Sequence, residues 1–250
     1  MKNTIYIYQD NGVSEESVLQ TITTLKPLLA PTYWVKTINA NEVINGAWIK
    51  DAALFVMPGG SDLPYVRKLK GAGNQIIKEY VKKGGSYLGI CAGSYYAAAY
   101  VEFDKSGGQE VLGDRELAFF PGKAIGPVLA KYHPKSNRGV VASALSLALS
   151  HIKESAAYYN GGGYFEDADK FPHVTVLGYY ENNLPSIIQI AYHKGQVILS
   201  GVHIEYDPAL LNANDPHLQH IIPILQEHDA SRRLLMIEIL KQLGIESKKI

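Results

Sequence analysis

The chain has 250 residues, enough for one large domain or two small ones. Hydrophobic residues make up 46% and charged residues 19%, so the chain has ample apolar material for a sizeable core. Lys plus Arg and Asp plus Glu both number 24, which makes the formal net charge zero. We therefore expect no nucleic-acid partner, because no excess of positive charge is available to neutralise a phosphate backbone.

Three further features bear on where the protein works. The N-terminal sequence MKNTIYIYQD contains a short alternating run, which predicts a first strand rather than a secretory signal. No apolar stretch approaches the ~20 residues that a membrane span needs. The single cysteine cannot form a disulfide within the chain. We expect a cytoplasmic protein without a membrane partner, and the sequence leaves its oligomeric state open.

The first half of the chain alternates strand and helix patterns at short intervals, as a mostly parallel sheet covered on both faces does. Apolar residues at helical spacing predict a helix that begins after Ser14, one at residues 76–81 and one at residues 97–100. Apolar runs predict strands at residues 4–8, 33–38, 52–57 and 86–90.

From about residue 102 to residue 171 the alternation fades, and the glycine-rich runs there predict long loops that shape a site. Strand patterns return from residue 174 to residue 202, with a tight hairpin at Lys194-Gly195. Since no repeat or linker interrupts the sequence, we expect a single domain over residues 1–250. Its core would span residues 1–206, followed by a helical extension over residues 207–250.

The run Gly89-Ile90-Cys91-Ala92-Gly93 joins a predicted strand to a predicted helix. This Gly-x-Cys-x-Gly pattern corresponds to the nucleophile elbow of hydrolases, with cysteine in place of serine. The glycines leave room for a tight turn, and the start of a helix favours a thiolate. A buried structural cysteine is the alternative, since free cysteine is among the most buried residue types. The glycine spacing favours a functional cysteine.

Attack on a carbonyl group also needs N–H donors for the oxyanion that develops. The segment Met-Pro-Gly-Gly-Ser-Asp at residues 57–62 follows the third predicted strand. Carboxyl ends of parallel strands meet at the edge of the sheet where ligands bind. We expect the backbone N–H groups of Gly59, Gly60 and Ala92 to form the oxyanion hole. An ordinary Pro-Gly-Gly turn is the alternative.

His203 and Glu205 come directly after the last predicted strand. Side chains two positions apart on an extended chain share a face, so the carboxylate can orient the imidazole and support its protonated form. Together with Cys91 they form the predicted catalytic set of nucleophile, proton shuttle and orienting acid. A surface ion pair is the alternative.

His217 and His220 are spaced one helical turn apart but have no clear third and fourth ligand. Solvated helix positions explain them better than a metal site. We therefore expect no metal and no cofactor.

Together these motifs resemble the class I glutamine amidotransferase superfamily, which combines such an elbow with a later His-x-Glu. Within it, the chain is most similar to the N-terminal region of eukaryotic biotin protein ligases and its stand-alone bacterial relatives. The likeness extends to about residue 206, and its runs are PGGSDLPY (58–65), GICAG (89–93), FFPG (119–122), YNGGG (159–163), DADKF (167–171) and GVHIE (201–205).

The resemblance implies a flavodoxin-like three-layer α/β/α sandwich. Its sheet would be mostly parallel, with an antiparallel hairpin near the C-terminal part and extra C-terminal helices. If the protein is an enzyme, we expect Asp62, Tyr95, Asn160 and Gly161 to contact the substrate. Working glutamine amidotransferases usually carry a glutamine four residues after the nucleophile, where this chain has Tyr95. Glutamine is therefore not predicted as the substrate.

Two functions remain open at this point, with redox or aldehyde chemistry at the same cysteine as a weaker third. The first is a cysteine-dependent amide hydrolase or amidotransferase-like enzyme that acts on a small-molecule or amide substrate through a thioester. The second is a binding or regulatory module that keeps the shape of the site without turnover. Biotin ligase activity is not expected, because the chain lacks a Gly-Arg-Gly-Arg adenylate loop.

Overall fold

The structure, a computed structural model, describes residues 2–248. Its strands are β1 Thr4–Tyr8, β2 Trp34–Ile38, β3 Ala52–Met57, β4 Ser86–Ile90, β5 Ala98–Phe103, β6 Val111–Asp114, β7 Phe120–Gly126, β8 Val141–Leu147, β9 Glu154–Tyr159, β10 Tyr164–Phe165, β11 Val174–Tyr180, β12 Pro185–Tyr192 and β13 Gly195–Ser200. Its helices are α1 Glu15–Leu28, α2 Ala40–Asn45, α3 Asp62–Leu69, α4 Ala72–Lys82, α5 Ala92–Tyr96, α6 Ile222–Glu227 and α7 Asp229–Gln242. Within the described range, no helix is both long and apolar enough to cross a membrane.

The large sheet has nine strands within the described residues, in the order β2-β1-β3-β4-β13-β12-β11-β8-β9. The first five run parallel to one another. The other four join through antiparallel pairs. The parallel part has the 2-1-3-4-5 order of flavodoxin-like sheets, in which ligands bind beyond the carboxyl ends of the strands. The predicted flavodoxin-like α/β fold and its C-terminal hairpin are confirmed.

Two hydrophobic clusters cover the opposite faces of this sheet, as the alternation of side chains along β3 makes clear. Phe55 and Met57 belong to one cluster, which includes apolar residues of α2, α3 and α4. Leu54 and Val56 belong to the other, which includes residues of α1 and α7. The C-terminal helix α7 therefore completes the same core as the central strands.

The segment between α5 and β11 differs most from the prediction. Residues 97–100 do not form a helix, because α5 ends at Tyr96 and β5 begins at Ala98. The expected long loops of residues 102–171 contain strands β6 to β10. Among the described residues, β10, β7, β5 and β6 form a separate four-stranded sheet. Pairing with strands distant in sequence overrides the weak local signals of these short segments.

The C-terminal region is less helical than predicted. Residues 207–221 consist of turns and one short 3-10 helix, and regular helices begin only with α6 and α7. His217 and His220 lie in these turns and not on a helix. Within residues 2–248, no group of three or more His, Cys, Asp and Glu side chains is arranged to hold a metal ion.

Candidate functional site

Cys91 lies at the bend between β4 and α5. Its backbone has φ 51° and ψ −109°, a conformation that is rare for residues other than glycine. The Cys91 N–H donates to the carbonyl oxygen of Ser200 at 2.8 Å, which ties the bend to the end of β13. Such strain persists only where the surrounding structure holds it, and it is common at functional sites.

The glycines on either side of Cys91 are required by close backbone contacts. A Cβ atom on Gly89 would lie 2.6 Å from the carbonyl oxygen of Gly93, and one on Gly93 would overlap the carbonyl oxygen of Met57. The Gly-x-Cys-x-Gly spacing is therefore the steric condition for packing α5 against β3 and β4.

The structure brings Cys91, His203 and Glu205 together. The His203 imidazole and the Cys91 side chain lie side by side against Gly59, and the imidazole Nδ1 lies 2.8 Å from Oε1 of Glu205. All three residues are buried, Glu205 completely. Burial opposes a positive charge on His203, but the Glu205 carboxylate and Cys91 more than offset it and raise the imidazole pKa to about 10. A proton on His203 is thus held between an acid and the sulfur.

Two tyrosines enclose the imidazole. The rings of Tyr158 and Tyr206 lie 5.6 Å and 4.7 Å from the His203 ring, centroid to centroid. The backbone N–H of His203 donates to the backbone carbonyl oxygen of Tyr158 at 2.8 Å. The imidazole therefore has little freedom to leave Cys91.

Only part of the predicted oxyanion hole has free donors. The Gly59 N–H donates to Oγ of Ser17 at 3.0 Å, so this group is not available to a substrate. Among the described residues, the N–H groups of Gly60 and Ala92 have no backbone acceptor, and both residues line the cavity that contains Cys91. The prediction for Gly59 is corrected, and Gly60 and Ala92 remain the candidate donors.

Helix α1 contributes polar side chains that the sequence reasoning missed. Ser17 donates to Oε1 of Glu205 at 3.0 Å, and Thr24 donates to the Glu205 carbonyl oxygen at 2.6 Å. The Gln20 side chain accepts from the Asp207 N–H at 2.8 Å. The sequence does carry a signal for them, because Ser17, Gln20 and Thr24 recur at i, i+3 and i+7 and therefore share one face of the helix.

Arg232 of α7 holds the same segment from the other side. It is the largest fully buried side chain among the described residues, and its Nη1 donates to the Ile204 carbonyl oxygen at 2.9 Å. Its Nε and Nη2 donate to Oδ1 of Asp229 at 2.8 and 2.6 Å. The C-terminal helix thus positions the peptide between His203 and Glu205.

A cavity of about 250 Å³ opens in front of Cys91. The four residues predicted to contact substrate all line it, together with aromatic and apolar residues of the segment 98–171, among them Val101, Phe103 and Tyr132. The predicted lining residues are Asp62, Tyr95, Asn160 and Gly161. The Cys91 Sγ lies 3.7 Å from the carbonyl oxygen of Asn160, so that loop borders the sulfur directly.

Tyr95 occupies the place of the glutamine that amidotransferases usually carry. Its side chain is buried, and its hydroxyl donates to the Gly161 carbonyl oxygen at 3.1 Å. A Cβ atom on Gly163 would lie 2.7 Å from the Tyr95 ring, so the ring fits tightly against this loop. Tyr95 therefore fills space and fixes the loop.

Comparison with known proteins identifies the family of the chain. The model of the family "Biotin-protein ligase, N terminal" matches residues 3–250, so the family likeness includes the C-terminal helices and does not end near residue 206. An uncharacterized protein of Chlamydia muridarum is 35% identical over 96% of this chain and 94% of its own length. A biotin–protein ligase of Schizosaccharomyces pombe is 32% identical over 98% of this chain, which spans only 38% of that ligase.

Solved structures show the same fold at low sequence identity. A crystal structure of a glutamine amidotransferase superposes with a TM-score of 0.59 and 14% identity, covering 96% of this chain and 99% of that one. A glutamine amidotransferase from Thermotoga maritima gives a TM-score of 0.55 and 14% identity over 98% of this chain and 97% of its own. The chain belongs to the family of the biotin-protein ligase N-terminal domain, built on the class I glutamine amidotransferase-like fold.

Proposed function

We propose that the protein is a cysteine-dependent amide hydrolase or amidotransferase-like enzyme. One observation carries the proposal: a cysteine on a strained strand-to-helix bend touches an imidazole whose other nitrogen is held by a buried carboxylate, at the bottom of an open cavity. This arrangement of nucleophile, base and orienting acid suits acyl transfer on any fold.

The reaction follows from these positions. As the Cys91 sulfur attacks the amide carbonyl, the proton of the thiol passes to His203, and the N–H groups of Gly60 and Ala92 stabilise the oxyanion. As the tetrahedral intermediate collapses, the C–N bond breaks and His203 gives its proton to the leaving nitrogen, which leaves a thioester on Cys91. Water, or an amine in a transferase, then attacks the thioester while His203 takes up a proton. The acyl product departs and the thiol is restored.

The test is a screen of carboxamides with wild-type protein and with Cys91→Ala. We expect wild type to release ammonia or amine from at least one amide, with an acyl adduct on Cys91 detectable by mass spectrometry after rapid quenching. Cys91→Ala should lose turnover by on the order of 10³-fold or more, as nucleophile deletions generally do. Undiminished turnover in Cys91→Ala would contradict the mechanism.

A second candidate is a binding or regulatory module without turnover. Two observations favour it: Tyr95 fills the position of the usual glutamine, and the chain matches only part of a longer biotin–protein ligase. The rate at which iodoacetamide alkylates Cys91 separates the two candidates. If the protein is an enzyme, Cys91 should react faster than a free cysteine at pH 7, because alkylation requires the thiolate and a catalytic site favours that form. In a module, the buried thiol should react slowly.

A further inference from the structure

The cavity in front of Cys91 changes in character from its floor to its mouth. Cys91, Ala92, Tyr95 and Val101 are buried and form the floor. The exposed side chains of the lining surround the mouth and are those of Ser61, Gln109 and Pro134. A ligand that reaches the sulfur therefore passes a partly polar mouth and ends among buried, mainly apolar groups.

The hairpin of β5 and β6 turns an apolar face towards this cavity. Val101 and Phe103 are two positions apart on β5 and therefore share a face. Val111 of β6 lies directly opposite Phe103 in the antiparallel register. The ring of Tyr132 extends the same surface, edge-on to Phe103 with 5.7 Å between the centroids. All four residues line the cavity, and we call this surface the apolar wall.

The protein itself covers the apolar wall incompletely. Phe103, Val111 and Tyr132 are each only half-buried, although they line a concave site. An apolar group of a ligand that contacts these side chains would leave water together with them, which favours binding. Concave sites of this kind, apolar with a few convergent polar groups, are typical of pockets for small molecules.

The polar side chains of the lining offer no comparable partner. The Asp62 carboxylate is already paired with the buried guanidinium of Arg115, whose Nε donates to Oδ2 at 2.7 Å. Ser61 and Gln109 are exposed at the mouth. The side-chain oxygen of Asn160 is buried, and this residue presents its backbone carbonyl oxygen to the sulfur. A polar substituent held against the apolar wall would therefore lose water without an equivalent hydrogen bond in return.

The place of His203 decides which part of an amide meets the apolar wall. His203 and Cys91 both border Gly59. Neither His203 nor Gly59 is among the described residues that line the cavity. Under the proposed function the leaving nitrogen receives its proton from His203, so this nitrogen lies at the sulfur end. The acyl chain then extends into the rest of the cavity.

We infer that the site takes carboxamides with an apolar acyl chain, as large as one ring or a short branched alkyl group, and seats that chain against the apolar wall. The inference rests on the proposed function in taking the reacting group to be a carboxamide. The size follows from the volume: about 150 Å³ is enough to hold a benzene molecule, and this cavity has about 250 Å³. The difference leaves room for the amide group and a short linker.

Because Cys91 is the sole cysteine, the rate at which iodoacetamide alkylates it reports whether this cavity is occupied. Two neutral amides with equal numbers of non-hydrogen atoms compete with the reagent: 4-methylpentanamide ends in an isopropyl group, and butanediamide ends in a second carboxamide. 3-Phenylpropanamide is the probe with a ring. We expect both apolar amides to protect Cys91 at concentrations about tenfold lower than butanediamide, which corresponds to ~1.4 kcal/mol of binding free energy.

Saturation-transfer NMR with Cys91→Ala gives the same comparison without relying on the reactivity of the thiol. The variant lacks the nucleophile, so no amide is consumed during the titration. The dissociation constants should keep the same order. The isopropyl and phenyl protons should receive the strongest saturation, because they contact the apolar wall.

Val111→Thr keeps the shape of the side chain and adds one hydroxyl group to the apolar wall. It should reduce the preference to about threefold or less, since an apolar acyl chain would then bury a polar group. Val35→Thr on β2 makes the same change at a half-buried position outside the cavity lining and should keep the preference. The comparison with wild-type protein stands without the variants, should Val111→Thr fail to fold.

Equal or tighter binding of butanediamide would overturn the inference, and so would binding of none of the three amides. An unchanged preference in Val111→Thr would overturn the role given to the apolar wall. The proposed function fails separately: apolar amides that bind but are never cleaved by wild type would remove the enzyme and leave the binding preference. Cleavage confined to polar amides would keep the enzyme and overturn the inference.

Discussion

The parallel half of the large sheet and the segment of residues 98–171 face the same cavity but contribute different things. The parallel half supplies the candidate catalytic groups at the ends of β3, β4 and β13, and buried hydrogen bonds from Ser17, Thr24 and Arg232 hold the segment that carries His203 and Glu205. The other segment supplies walls and acceptors, largely through aromatic and loop residues. Under the proposed function, the reacting groups and most of the substrate contacts therefore come from separate parts of the chain.

This separation has a physical basis. Carboxyl ends of neighbouring parallel strands meet within a few ångströms, so groups placed there are fixed by the core. Loops and short antiparallel strands can change without disturbing that core. If the comparison holds, changes in the parallel half should alter the reactivity of Cys91, and changes in the other segment should alter only binding.

The largest effect is expected for Glu205→Gln. The amide has the shape of the carboxylate but cannot support a protonated His203, so turnover should fall by on the order of 10³-fold. The measurement is kcat for an amide found in the screen. Glu16→Gln on α1 removes a charge that also acts on His203 without bonding its ring, and it should change kcat less than about threefold. Equal losses in both variants would contradict a specific role for Glu205.

The dependence of stability on pH tests the same pair in the absence of substrate. The folded pKa of His203 is raised to about 10, above its ordinary value of 6.5, so the folded state binds the proton more tightly than the unfolded state. The resulting stabilisation is fully present below about pH 6.5 and is lost as the pH rises towards 10. Urea unfolding of wild type should show this decline.

His203→Gln provides the control for that prediction. The variant should unfold with a much smaller dependence on pH in the same window, since the titrating ring is gone. An identical slope in both proteins would show that other groups dominate.

Phe103→Ala tests the segment of residues 98–171. The Phe103 ring packs edge-on against Tyr95 and Tyr132, with centroids 5.7 Å apart in both pairs. Its removal should widen the cavity and raise KM about tenfold, while kcat and the alkylation rate of Cys91 stay nearly constant. Leu112→Ala, which truncates a side chain 41% exposed on β6 and outside the cavity lining, should change neither. A fall in alkylation rate for Phe103→Ala would break the separation.

The smallest effect is expected for Ser17→Ala. The variant loses the donor to Glu205 and the acceptor of the Gly59 N–H, so the free energy of unfolding should fall by about 1–2 kcal/mol and kcat by a few-fold. Thr21→Val on the same helix removes a hydroxyl that bonds only the Ser17 carbonyl oxygen and should leave kcat unchanged. A change in KM alone would place Ser17 in binding and not in positioning.

Much of the parallel half was predictable from the sequence. β1, β3 and β4 begin and end where the apolar runs predicted, because buried parallel strands need continuous apolar residues. The tight bend at Cys91 was also predictable, since a glycine two positions before and after Cys91 has a steric meaning that local sequence carries. The commitment of the Gly59 N–H to Ser17 was not predictable, because the two residues are far apart in the chain.

What the sequence determined by itself was therefore local: apolar periodicity, the tight bend at Cys91 and the spacing of His203 and Glu205. Only the tertiary structure decided which strands of residues 98–171 pair, that Arg115 anchors Asp62, and that Arg232 reaches the peptide beside His203. Those contacts join residues that are distant in sequence. Their free energy depends on burial and on partners that the fold alone brings within hydrogen-bonding distance.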